Sequence, residues 1–169
     1  MAVTARTQAG PTTANRKWWV DVATLAAPTV WVPVTAMTEF TGNLGTVVHT
    51  DTSDWEGEGY SSSEAFSGSW GGEGKVRRAT ITGTPGSYAA GHEILRKAGQ
   101  VFGAGNRILA RIYEMEPDGG PRVEAATGPV NVTWSDDGGA VTAGSMASFT
   151  LVGAGKPTSR VHPDSAVVV

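Results

Sequence analysis

Histidines, clustered carboxylates and tryptophans are the side chains of this sequence with the most chemistry to offer, and their spacing decides what they can do. His49, His92 and His162 are far apart, and none stands in an HExxH or comparable ligand spacing. They read as surface or interface residues, not as metal ligands. The acids of 51–58 are close enough to chelate a cation, but the tract lacks the glycine at the sixth position and the closing glutamate of an EF-hand loop. Gly74-Lys75 lacks the first glycine of a phosphate-cradling loop, GxGxxG is absent, and no serine stands in GxSxG. With no cysteine, neither a disulfide framework nor a thiolate site can form. Asn131-Val132-Thr133 matches a glycosylation acceptor but follows no secretory signal, so it carries no weight. The chain is therefore expected not to be an enzyme, with no catalytic residue, no metal and no cofactor.

The elements that would position these side chains are mainly β. The chain has 23 glycines and 9 prolines among 169 residues, yet 40% are hydrophobic, a balance that suits one β domain with many turns. Residues 18–25 and 29–35 alternate with β-branched and aromatic side chains and read as a hairpin. Pro33 cannot donate a ladder hydrogen bond, which puts the second strand at an edge or beside a bulge. Residues 37–45 read as a connection, 46–50 as a short strand and 51–60 as an acidic loop. In 61–70 the side chains split by period two: Ser63, Ala65, Ser67 and Ser69 on one face, Glu64, Phe66, Gly68 and Trp70 on the other. Gly71, Gly72 and Gly74 are read as a break before a strand at 75–82.

Only 88–102 has helical spacing, with Tyr88, Gly91, Leu95, Ala98 and Phe102 on one face, Ile94 and Val101 beside them, and Ser87 as the expected N-cap. Arg96 and Lys97 suit the negative end of the helix dipole, and Gly103 is placed to close it. Strands follow at 107–115, at 122–134 with a possible break at Gly128-Pro129, and at 146–152, with turns at 116–120 and 136–139. Four of the six tryptophans, Trp18, Trp31, Trp70 and Trp134, fall in strand runs, where core packing explains them better than a sugar-binding platform. The arms 1–17 and 153–169 have no core pattern, so both are expected to be disordered in the monomer and ordered on assembly.

Net charge is only −3, which argues against a dedicated nucleic-acid binder. Its distribution is uneven. Between Leu44 and Gly74 stand Asp51, Asp54, Glu56, Glu58, Glu64 and Glu73 with no Lys or Arg, and then Lys75, Arg77 and Arg78 follow. That pattern is a solvated loop or an acidic surface built for a charged partner.

With the order of elements in hand, the sequence resembles the major tail tube proteins of long-tailed, non-contractile (siphovirus) phages, particularly those of actinobacterial hosts. The resemblance rests on an ordered set: the Trp18-Trp19-Val20-Asp21-Val22 and Trp31-Val32-Pro33-Val34 hairpin, and Thr38-Glu39-Phe40 leading to Asp51, Asp54 and Gly57. Next come the Tyr88-Ala89-Ala90-Gly91-His92-Glu93-Ile94-Leu95-Arg96 helix start, Ala110-Arg111-Ile112-Tyr113-Glu114 before Gly119-Gly120, and Phe149-Thr150-Leu151-Val152-Gly153-Ala154-Gly155 at the close. The serine-rich stretch 60–70 departs from the family pattern.

The resemblance implies a β-sandwich or barrel tail-tube fold with one flanking helix, about 87–102, as a single domain over 1–169. It implies hexameric rings with a shared inner β-barrel, stacked into the tube through which genomic DNA is ejected. Partners would be other copies of the chain, a tape measure protein inside the tube, and tail terminator and distal tail proteins at its ends. DNA would pass without specific binding, and no membrane is involved. The protein would lie in the virion tail, assembled in the cytoplasm of the bacterial host. Ser63, Ser67 and Ser69 are expected to line the bore, with Phe66 and Trp70 turned inward. Asp51, Asp54, Glu56 and Glu58 are expected to reach an adjacent ring at Lys75, Arg77 and Arg78. Alternatives are a ring-forming neck or tail-terminator protein, or a carbohydrate-binding or immunoglobulin-like adhesion module.

Overall fold

A computed structural model of the chain describes residues 18–51, 63–78, 87–114, 125–138 and 144–163. Among the described residues seven strands form one antiparallel sheet: β1 (Trp18–Ala23), β2 (Val32–Pro33), β3 (Met37–Asp51), β4 (Ser63–Arg77), β5 (Arg107–Glu114), β6 (Ala125–Asp137) and β7 (Met146–Gly153). One helix, α1 (Ala90–Gly99), leads through a 3-10 turn (Gly103–Asn106) into β5. The sheet order is β2-β1-β5-β6-β7-β4-β3. The mainly β architecture with one helix expected from the sequence is thus present.

Period-two alternation aligned across the ladders explains why the sheet has a dry face. Register carries one set of side chains from strand to strand: Val20 beside Ile112, Val22 beside Ala110, Ile108 beside Val130, Val132 beside Leu151, and Phe149 beside Gly74. Apart from Gly74, these residues join Phe40, Trp70 and Val76 in a single buried cluster. The sheet curls about this face until β1, next to one edge, meets β3 at the other. Trp18 and Phe40 stand 6.0 Å apart between ring centroids, and a side chain on Gly42 would collide with the Trp18 ring. Leu95 and Ala98 bring α1 onto the same cluster, and Gly91 lets the helix pass within van der Waals reach of the Pro33 carbonyl.

Several elements differ from the sequence reading. Residues 37–50 are not a connection plus a short strand but one strand, β3, bent by register shifts at Met37/Glu39, Asn43/Thr46 and Val48/His49. Gly45, with φ 152°, sits at the second shift. Glycines 71, 72 and 74 do not break β4 but let it run on. A Cβ on Gly74 would lie 2.9 Å from both the Phe40 and Phe149 rings and one on Gly72 would meet Phe40, so these two glycines make room for aromatics of the neighbouring strands, while Gly71 lets the Leu151 carbonyl approach. β6 likewise continues through Gly128-Pro129 to Asp137, beyond the turn expected at 136. Helix α1 begins later than expected, with Ala89 and not Ser87 at the N-cap, and ends at Gly99, leaving Phe102 97% exposed.

The C-terminal arm is the largest correction. Residues 153–163 dock on their own chain: Trp70 Nε1 donates to the Gly155 carbonyl at 2.7 Å, and Thr158 N and Ser159 N donate to Thr127 O. Arg160 donates to the Leu44 carbonyl, and His162 Nε2 meets the Glu114 carbonyl at 2.9 Å with its ring edge-on to Tyr113. No core pattern marks this segment, because it satisfies its polar groups on strand backbones and contributes few apolar side chains. Residues 1–17 and 164–169 lie outside the described residues.

Candidate assembly surface

Two of the three histidines are structural. His92 is 1% exposed, with Nε2 2.7 Å from the Thr35 carbonyl, and His162 is 2% exposed in the docked arm. Both are buried within the chain, where a surface or interface position was expected, while His49 is exposed on β3. Among the described residues no three His, Asp or Glu side chains gather to hold a metal ion. No described helix is long and apolar enough to cross a membrane.

The geometry that invites a partner is at the far half of the β3–β4 hairpin. β4 pairs with β7 only from Gly71 to Arg77, and β3 is the outermost strand. Beyond Gly71 the two strands continue alone, pairing Thr46 with Ser69, Val47 with Gly68, Val48 with Ser67, His49 with Ala65 and Asp51 with Ser63. Val47 is 54% and Val48 51% exposed, and being adjacent they face opposite sides. Ala65, Ser67, Gly68 and Ser69 are exposed as well. Among the described residues no third strand pairs with this ribbon, and a two-stranded ribbon is marginal alone in water. Neither valine was singled out from the sequence. The available signal was that 46–50 shows two adjacent β-branched apolar residues where a half-buried strand would alternate.

Trp70 is buried at 4% exposure while Ser67 and Ser69 face solvent. The side chains of Ser63 and Phe66 lie outside the described residues. Asp51 closes β3, and Asp54, Glu56 and Glu58 belong to the stretch 52–62, also outside the described residues.

The basic residues meant to receive those acids are not equivalent. Lys75 pairs with Glu39 at 3.3 Å across the hairpin, and Arg77 is exposed. Arg78 is committed to its own chain: its guanidinium lies 3.1 Å from Asp136 and 3.5 Å from Glu93, and its Cζ is 4.0 Å from the Tyr88 ring centroid. Glu93 also takes two hydrogen bonds from Arg96, at 2.7 and 3.1 Å. The Arg96 hydrogen bond, helped by the charges of Arg96, Arg78 and Lys97, outweighs burial and holds the Glu93 carboxyl below the usual glutamate range. This cluster fastens α1 to the segment after β4.

No family model matches the chain, and no curated relative matches it. Among solved structures it is similar to one described as the cryo-EM structure of the anti-feeding prophage cap, the cap terminating the AFP tube. The match has a TM-score of 0.51 at 13% identity and covers 90% of this chain and 94% of the other. The likeness is one of fold along almost the whole of both chains.

Proposed function

We propose that the chain is a structural protein of a phage tail, a tail tube protein whose copies close into hexameric rings and stack. The observation that carries this reading is the projecting β3–β4 ribbon, in a fold shared with a tube-terminating cap. Pooling ribbons from several copies into one closed barrel would pair every open edge and cover one face of each ribbon, replacing exposed valine surface with contact. A head-to-tail contact of this kind closes a ring if its rotation allows, and a second contact along the axis makes a filament.

Thr46–Asp51 and 63–69 contain no Lys or Arg, so a bore lined by Ser63, Ser67 and Ser69 would let a polyanion slide without capturing its phosphates. In this reading the chain catalyses nothing and belongs to the virion tail, assembled in the host cytoplasm. Its further partners are a tape measure protein within the tube and terminator and distal tail proteins at its ends.

A second reading, a ring that terminates a tube and does not polymerise, is favoured by the similarity to a cap. Electron microscopy of the purified protein separates them: long tubes support the tube protein, single rings the terminator, and monomers at every concentration neither.

A further inference from the structure

The β3–β4 ribbon leaves the sheet at a bulge, and the C-terminal arm grips both strands of that bulge. Asn43 pairs with Gly71 and Thr46 with Ser69, so Leu44 and Gly45 on β3 stand together opposite Trp70 on β4. The pairing of β4 with β7 ends at the neighbouring Gly71, opposite Val152, so among the described residues this is where the hairpin parts from the sheet. At this level the buried Trp70 indole donates to the Gly155 carbonyl at 2.7 Å, and the Arg160 guanidinium donates to the Leu44 carbonyl. Between these two grips Thr158 and Ser159 are bonded to Thr127 of β6, and beyond them His162 meets the Glu114 carbonyl at the end of β5. The backbone is cut to fit. Gly45 has a φ of 152°, and a Cβ there would lie 2.6 Å from Arg160 Nη2, so only glycine leaves space for the guanidinium. Asn43 Oδ1 accepts from Gly45 N and Thr46 Oγ1, both at 3.0 Å, which shapes the bulge from the β3 side.

We propose that residues 155–162 are a clamp that sets the angle at which the ribbon projects, with Arg160 as its positioning residue; the consequence for assembly rests on the ring reading above. An unclamped bulge is a natural hinge, since its extra residue is unpaired and the strand bends there. The ribbon extends about 17 Å beyond it, from Thr46 to Asp51, so a swing of about 15° carries the tip through nearly the spacing of neighbouring strands, about 4.8 Å. A ribbon free to swing that far would meet the strands of its neighbour out of place, and head-to-tail contacts close a ring only when each copy adds the same rotation. The clamp opposes this because it is anchored on β5 and β6, which are not part of the ribbon, and so holds the hinge against the body of the sheet. At Leu44 the donor is charged, which makes this bond of the stronger kind.

The chain has no cysteine, so Ser67→Cys on the ribbon and Thr133→Cys on β6, both at exposed positions, can carry a pair of spin labels in the full-length monomer. Their distance distribution, from dipolar electron spin resonance, reports the hinge directly. A single narrow distribution is expected, at least doubled in width by Arg160→Met, which keeps the length of the side chain and removes its donors. Lys156→Met, at an exposed arm cation outside the clamp contacts, should leave the width unchanged. Equal widths with and without Arg160→Met, or equal broadening by Lys156→Met, overturn the clamp whatever the chain assembles into. Sedimentation of the unlabelled chains keeps the two readings apart. Arg160→Met should need at least fivefold more protein than the wild type to leave the monomer. If the wild type never assembles while Arg160→Met broadens the distribution as described, the ring reading is wrong and the clamp stands. An Arg160→Met chain that assembles as readily as the wild type removes the clamp from assembly.

Discussion

Arg78 shows how far a residue's type and neighbours in sequence can mislead about its role. Read with Lys75 and Arg77 it is one of three cations following an acidic tract. In the fold its side chain is only 12% exposed and lies between Glu93, Asp136 and Tyr88. Replacing it with methionine, which keeps the length and removes the charge, should cost about 1 to 3 kcal/mol in urea unfolding, because Asp136 loses a charged hydrogen bond and Glu93 an ion-pair partner. Glu93 adds a pH dependence whose sign is fixed. Its folded-state pKa is depressed by Arg96 first, so its contribution is complete above the ordinary glutamate pKa of about 4.3 and is lost as pH falls through the lower folded value. Glu93→Gln should therefore be less stable than wild type at pH 7 and converge towards it in acid, as thermal unfolding across pH would record. Gly74→Ala is a further single-residue test: the added methyl would meet two phenyl rings and the Glu39 carbonyl, a clash expected to cost about 1 to 3 kcal/mol.

At the scale of elements, what was legible followed from periodicity. β1, β5 and β7 were read nearly to their bounds, and Pro33 correctly marked an edge. Glycine was where the reading failed. At 42, 45, 71, 72 and 74 it suggests loop or break, because local sequence does not reveal that Trp18, Phe40 and Phe149 press on the backbone at 42, 72 and 74, Arg160 at 45 and the Leu151 carbonyl at 71. The docked arm was illegible for a related reason, since its bonds go to strand carbonyls that any sequence would present. Amide exchange on the monomer should show protection at Ala154, Thr158 and Ser159, whose N–H groups are bonded to Pro129 and Thr127. Exchange at those three sites as fast as in an unfolded peptide would return the arm to the disordered state first expected of it. The same experiment should find 46–49 and 65–69 less protected than 72–76, because only the latter part of β4 has a strand on each side.

For the whole molecule the unread feature is the ribbon, because exposure on both faces is a property of what the rest of the chain fails to cover. Val47 and Val48 belong to no buried cluster among the described residues, so Val47→Asp with Val48→Asp should leave the monomer's unfolding midpoint nearly unchanged, as surface substitutions usually do. The same change puts charge into any barrel built from these strands. Sedimentation of the wild-type chain and this double variant across a concentration series is then the most direct measurement of whether the protein works by packing against its own copies. The account predicts that the wild type leaves the monomer mass of 17.5 kDa for a discrete ring or larger polymer, while the variant remains at 17.5 kDa throughout. A wild type that stays monomeric at every concentration, or a variant that assembles as readily as the wild type, would contradict it.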